Sequence, residues 1–265
     1  MTDVSVLRSY WDSRPLGTQY VTDPSIEVGS AEYFEHIRPW MNPYKFPWIM
    51  ERIEREAASL RGRHVLEVGC GMGFDSVELS KRGVRVTATD LTPAAVELTR
   101  RHFELAGVRP EAVQVENALA LSFADGTFDA VWANGVLHHT GDTAGAVREV
   151  WRVLEPGGRA IISHFYRRPS WMHVVHRLAR ENIEHRDLDP PVTDFLTERQ
   201  IEALFTGFDI ESTAREHYRA LPICRAGLKA ALYTRAFKPL YNLLPRWLAE
   251  RMAYKYSVVA VKRAC

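Results

Sequence analysis

Three glycines, Gly69, Gly71 and Gly73, fall within the run Val65-Leu-Glu-Val-Gly-Cys-Gly-Met-Gly-Phe-Asp75, the densest chemical signal in the chain. Lacking side chains, they let the backbone turn tightly and let a ligand lie against the main chain. Carboxylates stand on either side at Glu67 and Asp75, and Asp90, Asn117, Asn134, the pair His138-His139 and His164 follow. Carboxylates and amides accept hydrogen bonds from hydroxyls and amines, and an imidazole exchanges a proton near neutral pH. A dinucleotide loop would read G-x-G-x-x-G. Here the third glycine comes one residue early and Phe74 holds its place. The phosphate-binding pattern G-x-x-x-x-G-K-S/T is absent, which argues against a P-loop nucleotide enzyme.

The elements that would position these groups alternate in a βαβ rhythm. Val65 to Val68 reads as a buried strand, and Phe74 to Arg82 as a helix with Phe74, Val77 and Leu79 inward. A second strand spans Val84 to Asp90. Thr92-Pro93 then starts a helix, since proline is tolerated at the first helical position, and Gly107 suits its end. Further strands are expected at Ala112 to Glu116, Phe128 to Asn134 and Gly158 to Ser163, with a helix from Thr143 to Leu154 that stops before Pro156-Gly157-Gly158. Strands joined by long crossovers imply a parallel sheet, whose ligands bind beyond the carboxyl ends of the strands. Those ends are where the polar residues above fall. Thr197-Glu-Arg-Gln200 reads as a capping box for a helix through Phe205, followed by a strand at Phe208 to Thr213 and a last one at Tyr256 to Lys262.

Three stretches stand outside the rhythm and read as caps over one sheet domain whose core is residues 60–164. They are residues 1–50, rich in aromatics and proline (Tyr10, Trp11, Tyr33, Phe34, Trp40, Pro43, Pro47, Trp48), residues 165–196, with Trp171, Met172, Val175 and Leu178 on one helical face, and residues 218–255.

The chain has 265 residues, 46% hydrophobic and 25% charged, the composition of a soluble globular protein. Its 34 basic and 33 acidic residues give no sign of a nucleic-acid binder. The balance is nevertheless uneven: residues 215–265 hold 11 basic and 2 acidic side chains, residues 1–214 hold 23 and 31. No run approaches the roughly 18 apolar residues of a membrane span, and the N-terminus lacks a signal-peptide layout, so a cytoplasmic location is expected. Cys70, Cys224 and Cys265 are too few and scattered for a disulfide framework and read as reduced thiols.

Four motifs in register, Leu66-Glu-Val-Gly-Cys-Gly-Met-Gly-Phe-Asp75, Thr89-Asp90-Leu91-Thr92-Pro93, Phe128-Asp-Ala-Val-Trp-Ala-Asn134-Gly-Val-Leu-His-His139 and Arg152-Val-Leu-Glu-Pro-Gly-Gly158, resemble the class I S-adenosylmethionine-dependent methyltransferases. The resemblance covers residues 63–163. It implies a Rossmann-like α/β fold of seven strands, six parallel and the last antiparallel, with S-adenosyl-L-methionine as cofactor and S-adenosyl-L-homocysteine as product. By the same resemblance Glu67, Gly69 and Gly71 would hold the methionine portion, with Cys70, Gly73 and Asp75 among the cofactor residues. Asp90, with Leu91, would take the ribose hydroxyls. Asn117, Ala118 and Leu119 would meet the adenine, and Asn134 and His139 would line the methionine side. A plainer reading stays open for each: strand-end charges for Glu67 and Asp75, a turn for Asp90, an Asx turn for Asn117, and loop orientation for His138 and His139.

Displacement at a sulfonium asks mainly for proximity and alignment, which can supply about 7–11 kcal/mol. An acceptor that carries a proton needs a base, for which His139, His138 and His164 are the candidates. Asn134-Gly135 and Ser163-His164 stand where metal-assisted methyltransferases need carboxylates, and His173 and His176 lack a third ligand, so no metal is expected. Nor does Gly135-Val136-Leu137 match the motif of DNA amino-methylating enzymes. Tyr10, Trp11, Tyr33, Phe34 and Trp171 are candidate substrate contacts. The Tyr10–Pro15, Gly29–Phe34 and Phe165–Ser170 runs resemble small-molecule methyltransferases, many from secondary metabolism, with an oxygen, nitrogen or carbon acceptor. A non-methylating member of the fold, acting as a cyclase or a partner subunit, also stays open. So does a methyltransferase for a prenyl or lipid-like anionic substrate, because the tail sets Leu228, Leu232, Phe237, Leu240, Leu244, Trp247, Leu248 and Met252 among Arg225, Lys229, Arg235, Lys238, Arg246 and Arg251. Such a basic amphipathic segment either meets an anionic or membrane surface or caps the sheet. The expected partner is a small molecule, with no nucleic acid, no stable membrane insertion and the oligomeric state left open.

Overall fold

The central strands are apolar at nearly every position, as parallel strands covered on both faces must be. Successive side chains point to opposite faces. Val65, Ala130, Trp132, Ile161 and Val259 accordingly enter one core, and Leu66, Val131, Ala133, Ile162 and Val258 the other. The computed structural model describes residues 3–13, 15, 17–21, 23–41, 47–171, 190–216 and 228–264. Its strands are β1 (His64–Val68), β2 (Arg85–Asp90), β3 (Ala112–Val115), β4 (Phe128–Asn134), β5 (Leu154–Arg167), β6 (Phe195–Leu196), β7 (Phe208–Glu216) and β8 (Lys255–Lys262). They lie in the order β3-β2-β1-β4-β5-β8-β7, with β8 antiparallel to both of its neighbours.

One strand exceeds the expected seven. The two residues of β6 pair with Tyr166 and Arg167, beyond where the fifth strand was expected to stop. That strand is longer at both ends than residues 158–163. At its start Leu154 pairs with Phe128 before the register shifts around Pro156-Gly157-Gly158. At its end His164 adopts φ 66° and the register against β8 shifts between Ile162 and Phe165, a bulge that lets the strand continue. Residues 165–167, at the head of one expected cap stretch, are therefore strand.

Helices α1 (Val4–Ser13) and α2 (Ala31–Ile37) precede the sheet. α3 (Pro47–Leu60), α4 (Phe74–Lys81) and α5 (Pro93–Ala106) cover one face through Ile53, Ala57, Val77, Val96 and Phe103. α6 (Thr143–Val153) and α7 (Glu198–Ala203) cover the other through Ala146, Val147, Val150 and Ile201. α5 starts where Thr92 accepts the Ala95 N–H (3.3 Å) and ends at Gly107, φ 67°. Asp12 of α1 accepts the Ala94 N–H (3.2 Å), tying α1 to the same helix start. After β7 come α8 (Leu228–Leu232), a π-helical turn (Tyr233–Phe237), α9 (Lys238–Asn242) and α10 (Arg246–Arg251). No helix among the described residues is long and apolar enough to cross a membrane. Met172, Val175, Leu178, the pair His173 and His176, and Cys224, Arg225 and Cys265 lie outside the described residues.

The capping box read at residue 197 is present: Thr197 Oγ1 accepts the Gln200 N–H, and Gln200 Oε1 accepts the Thr197 N–H. Thr197→Ala removes one of these bonds and should cost about 1 kcal/mol, read as a lower urea midpoint at unchanged slope.

Candidate active site

The loop after β1 is fastened to β2 before it reaches anything else. The N–H groups of Gly69 and Cys70 both donate to Thr89 O (2.7 and 2.8 Å). This brings Gly69, φ +74°, so close to the loop after β4 that a Cβ would lie 2.3 Å from Val136 Cγ2. Gly71, φ +57°, is the opposite case: nothing lies within 4 Å of where its Cβ would stand, and the residue borders an open cleft. Its N–H donates to Asp90 Oδ2 (3.0 Å), while Asp90 Oδ1 accepts from Thr92 N (3.0 Å) and Thr92 Oγ1 (3.1 Å). Burial pushes the Asp90 carboxyl above its ordinary range, and the bonds from Thr92 and Gly71 pull it back down. The carboxylate is thus oriented at the end of β2 with acceptor capacity left on both oxygens.

The end of β4 carries the second fixed polar group. Asn134 Nδ2 and Trp132 Nε1 both donate to Asp75 Oδ2, at 2.7 and 3.0 Å. With its amide nitrogen committed, Asn134 presents Oδ1 as an acceptor, buried and without a hydrogen-bond partner among the described residues. An unmatched buried acceptor costs about 1–3 kcal/mol, so this atom is poised for a donor on a ligand. Asp75 itself is buried, its carboxyl raised by desolvation against the lowering bonds from Asn134 and Trp132. Behind the loop, Ser76 Oγ donates to the buried Glu67 carboxylate, and burial, then the charge of Asp75, raise that carboxyl well above its usual range.

Gly69, Gly71, Asp90, Leu91, Asn117, Ala118, Asn134, His139 and Trp11 line the cleft together. Asn117 Oδ1 accepts the Leu119 N–H (3.0 Å), so an Asx turn and a place on the cleft coexist at one residue. Glu67, Cys70, Gly73, Asp75 and Leu119 do not line it. Cys70 is buried against Thr99 Oγ1 (3.4 Å), and burial raises its thiol well above the ordinary range. Leu119 packs on the second core.

The three histidines separate. His139 borders the cleft, its Nδ1 3.0 Å from Val192 O and its ring 5.7 Å from that of Trp11. A carbonyl only accepts, so Nδ1 carries the proton and Nε2 is the basic nitrogen of the neutral ring. His138 is buried, 4.0 Å from the His139 ring and 4.5 Å from Tyr166. Burial, with His139, Lys255 and His164 nearby, holds it well below an ordinary imidazole. His164 is buried behind the cleft, its Nε2 2.8 Å from the Glu216 carboxylate, which also pairs with Arg52.

The aromatic residues separate as well. Trp11 faces the cleft, and Tyr10 borders a shallow surface hollow with Ser5, Ser9 and Pro191. Tyr33 and Phe34 are core, packed with Met72, Phe74 and Leu98, and Phe34 stacks on His102 at 4.4 Å. Trp171 is buried against Tyr241 and Tyr254 (4.9 and 5.8 Å). Sequence reasoning missed Val4 and Leu7, which lie with Trp11 on the cleft. Their i, i+3, i+7 spacing is the face of a short amphipathic helix and was the available signal. It also missed the buried Arg52–Glu216 pair, whose residues lie 164 positions apart with nothing local to connect them.

Residues 66–162 match a family model described as a methyltransferase domain. The chain is similar to the ubiquinone biosynthesis O-methyltransferase of Pseudomonas aeruginosa (strain UCBPP-PA14), 33% identical over 130 residues, which are 49% of this chain and 54% of that protein. It thus spans about half the length of the curated relatives it matches. Among solved structures it is similar to the YcgJ protein of Bacillus subtilis, with TM-score 0.59, 19% identity and coverage of 82% of this chain and all of that one. It is also similar to the 4+2 cyclase SpnF, with TM-score 0.56, 17% identity and 82% of each chain covered. At such identities these likenesses concern the fold alone. The stretch similar to a methyltransferase domain, residues 66–162, thus lies at the centre of the strand order found here.

Proposed function

We propose that the protein transfers the methyl group of S-adenosylmethionine to an oxygen nucleophile of a small molecule. The observation that carries this reading is the convergence on one cleft of residues after β1, β2, β3 and β4, where Asn134 Oδ1 awaits a donor. The groups present suit the cofactor: an ammonium would satisfy Asn134 Oδ1, and the oriented Asp90 carboxylate can accept from a pair of ribose hydroxyls. Asn117 and Ala118 border the place where adenine would lie, and Gly71 leaves room for a ligand against the backbone. When bound, the cofactor supplies an electrophilic methyl on a good leaving group, so the protein's task is chiefly alignment.

In this reading α1, with Val4, Leu7 and Trp11, covers the cleft and shields it from water. His139 Nε2 takes the proton of the acceptor hydroxyl as the methyl–oxygen bond forms, while the Nδ1 bond to Val192 O keeps the tautomer. The name of the Pseudomonas relative supports an oxygen acceptor, and the resemblance of the N-terminal runs supports a secondary metabolite. Residues 1–50 then serve as lid, residues 60–164 as the cofactor unit and the later stretches as caps, in a cytoplasmic enzyme.

Isothermal titration with S-adenosylmethionine and S-adenosylhomocysteine tests the reading, and binding of neither would end it. Asp90→Ala should weaken S-adenosylhomocysteine binding by about 1.5–3 kcal/mol, the loss of hydrogen bonds to a charged group. Unchanged affinity in the folded variant would place the ribose elsewhere. His139→Gln should slow methyl transfer to a hydroxyl acceptor about 10²-fold, with a much smaller effect on S-adenosylhomocysteine affinity in titration.

A further inference from the structure

The helices between Leu228 and Arg251 carry apolar side chains on two sides, and the core uses one. Phe237 and Tyr241 face inward, their rings 5.5 and 4.9 Å from that of Trp171, and Tyr241 is buried. Leu228, Leu232, Leu240, Leu243 and Trp247 face outward, each 59–80% exposed. The other exposed large apolar side chains among the described residues, such as Val28, Leu105 and Ile210, are spread singly over the fold, as on any soluble protein. Five within 20 residues concentrate exposed apolar surface on one segment of the chain, which calls for an occupant.

Charge selects the occupant. Residues 228–252 include five basic side chains and one acidic. Arg235 and Arg251 are exposed and Lys238 is half-exposed, and the Arg251 guanidinium lies 5.7 Å from the Trp247 ring centroid. Short helices that set leucines and a tryptophan beside arginine and lysine fit a surface that is apolar beneath and anionic above. Among the described residues no helix is long and apolar enough to cross a bilayer, and the short helices with mixed apolar and basic side chains suit lying in the interface. We propose that this face docks the protein reversibly on an anionic lipid surface, with Leu240, Leu243 and Trp247 entering the headgroup boundary and Arg235, Lys238 and Arg251 meeting lipid phosphates.

Co-sedimentation of the full chain with vesicles tests this, comparing phosphatidylcholine alone with phosphatidylcholine containing about 30% phosphatidylglycerol. Recovery is expected with the anionic vesicles only, falling steeply between about 50 and 500 mM NaCl. The pairs Leu240→Ser with Leu243→Ser, and Arg235→Glu with Lys238→Glu, should each weaken partitioning about tenfold or more. Circular dichroism melting and S-adenosylhomocysteine titration of the same variants show whether fold and cleft are intact. Failure of the cofactor to bind wild type would refute the proposed methyl transfer and leave the vesicle result standing. The docking proposal is overturned if intact wild-type protein ignores anionic vesicles or sediments equally with neutral ones. It is also overturned by a concentration-dependent dimer in sedimentation velocity that the leucine pair abolishes, which would assign the face to a second copy of the chain.

Discussion

Close approach of the β1 loop backbone to the Val136 side chain, made possible where Gly69 has no side chain, governs the site. The loop after β1 can donate two N–H groups to Thr89 O only by passing within contact of Val136, where a methyl group would collide. From that position the next N–H but one, that of Gly71, reaches the Asp90 carboxylate. The ends of β1 and β2 are therefore fastened by backbone N–H groups, the loop after β4 packs on them through Val136, and the cleft is the space left beyond them. The sheet makes this precision affordable, since β1 and its neighbours are buried on both faces by two well-packed cores.

Polar groups are buried beside the cleft at a cost, and they are arranged to limit it. Asp75 accepts from Asn134 and Trp132, Glu67 accepts from Ser76, and Arg52 and His164 meet at Glu216. Each such pair holds a side chain at the carboxyl end of the sheet in one orientation. Asn134 is where that matters, because the bond to Asp75 decides which end of its amide remains for a ligand. Buried polar groups without such partners would cost stability, and Glu67, Ser76, Asp75, Trp132 and Asn134 share bonds across β1, α4 and β4.

The strand rhythm and its helices were legible because period-two and period-3.6 apolar patterns are local properties. Thr92-Pro93, Gly107 and the capping box at Thr197 mark helix ends by chemistry confined to four or five residues. The bulge at His164 and the short β6 were not legible. A two-residue strand has no period, and it forms only because β5 runs past its expected end to offer a partner. For the site, the motifs led to Gly69, Gly71, Asp90, Asn117, Asn134 and His139, all at the ends of strands whose order is local to residues 64–139.

The sequence by itself determined the α/β class, a parallel core sheet and the set of polar residues at its carboxyl edge, since all of these follow from spacing along the chain. Only the tertiary structure decided which of them face the cleft. Tyr33, Phe34 and Trp171 read as candidate substrate contacts and lie in the core, whereas Val4 and Leu7 were not singled out and line the cleft. His138 and His139 are adjacent, yet one is buried against Tyr166 and the other borders the cleft. Residue type states what a side chain can do. Which way it faces depends on packing between segments far apart in the chain, and that information is absent from any local pattern.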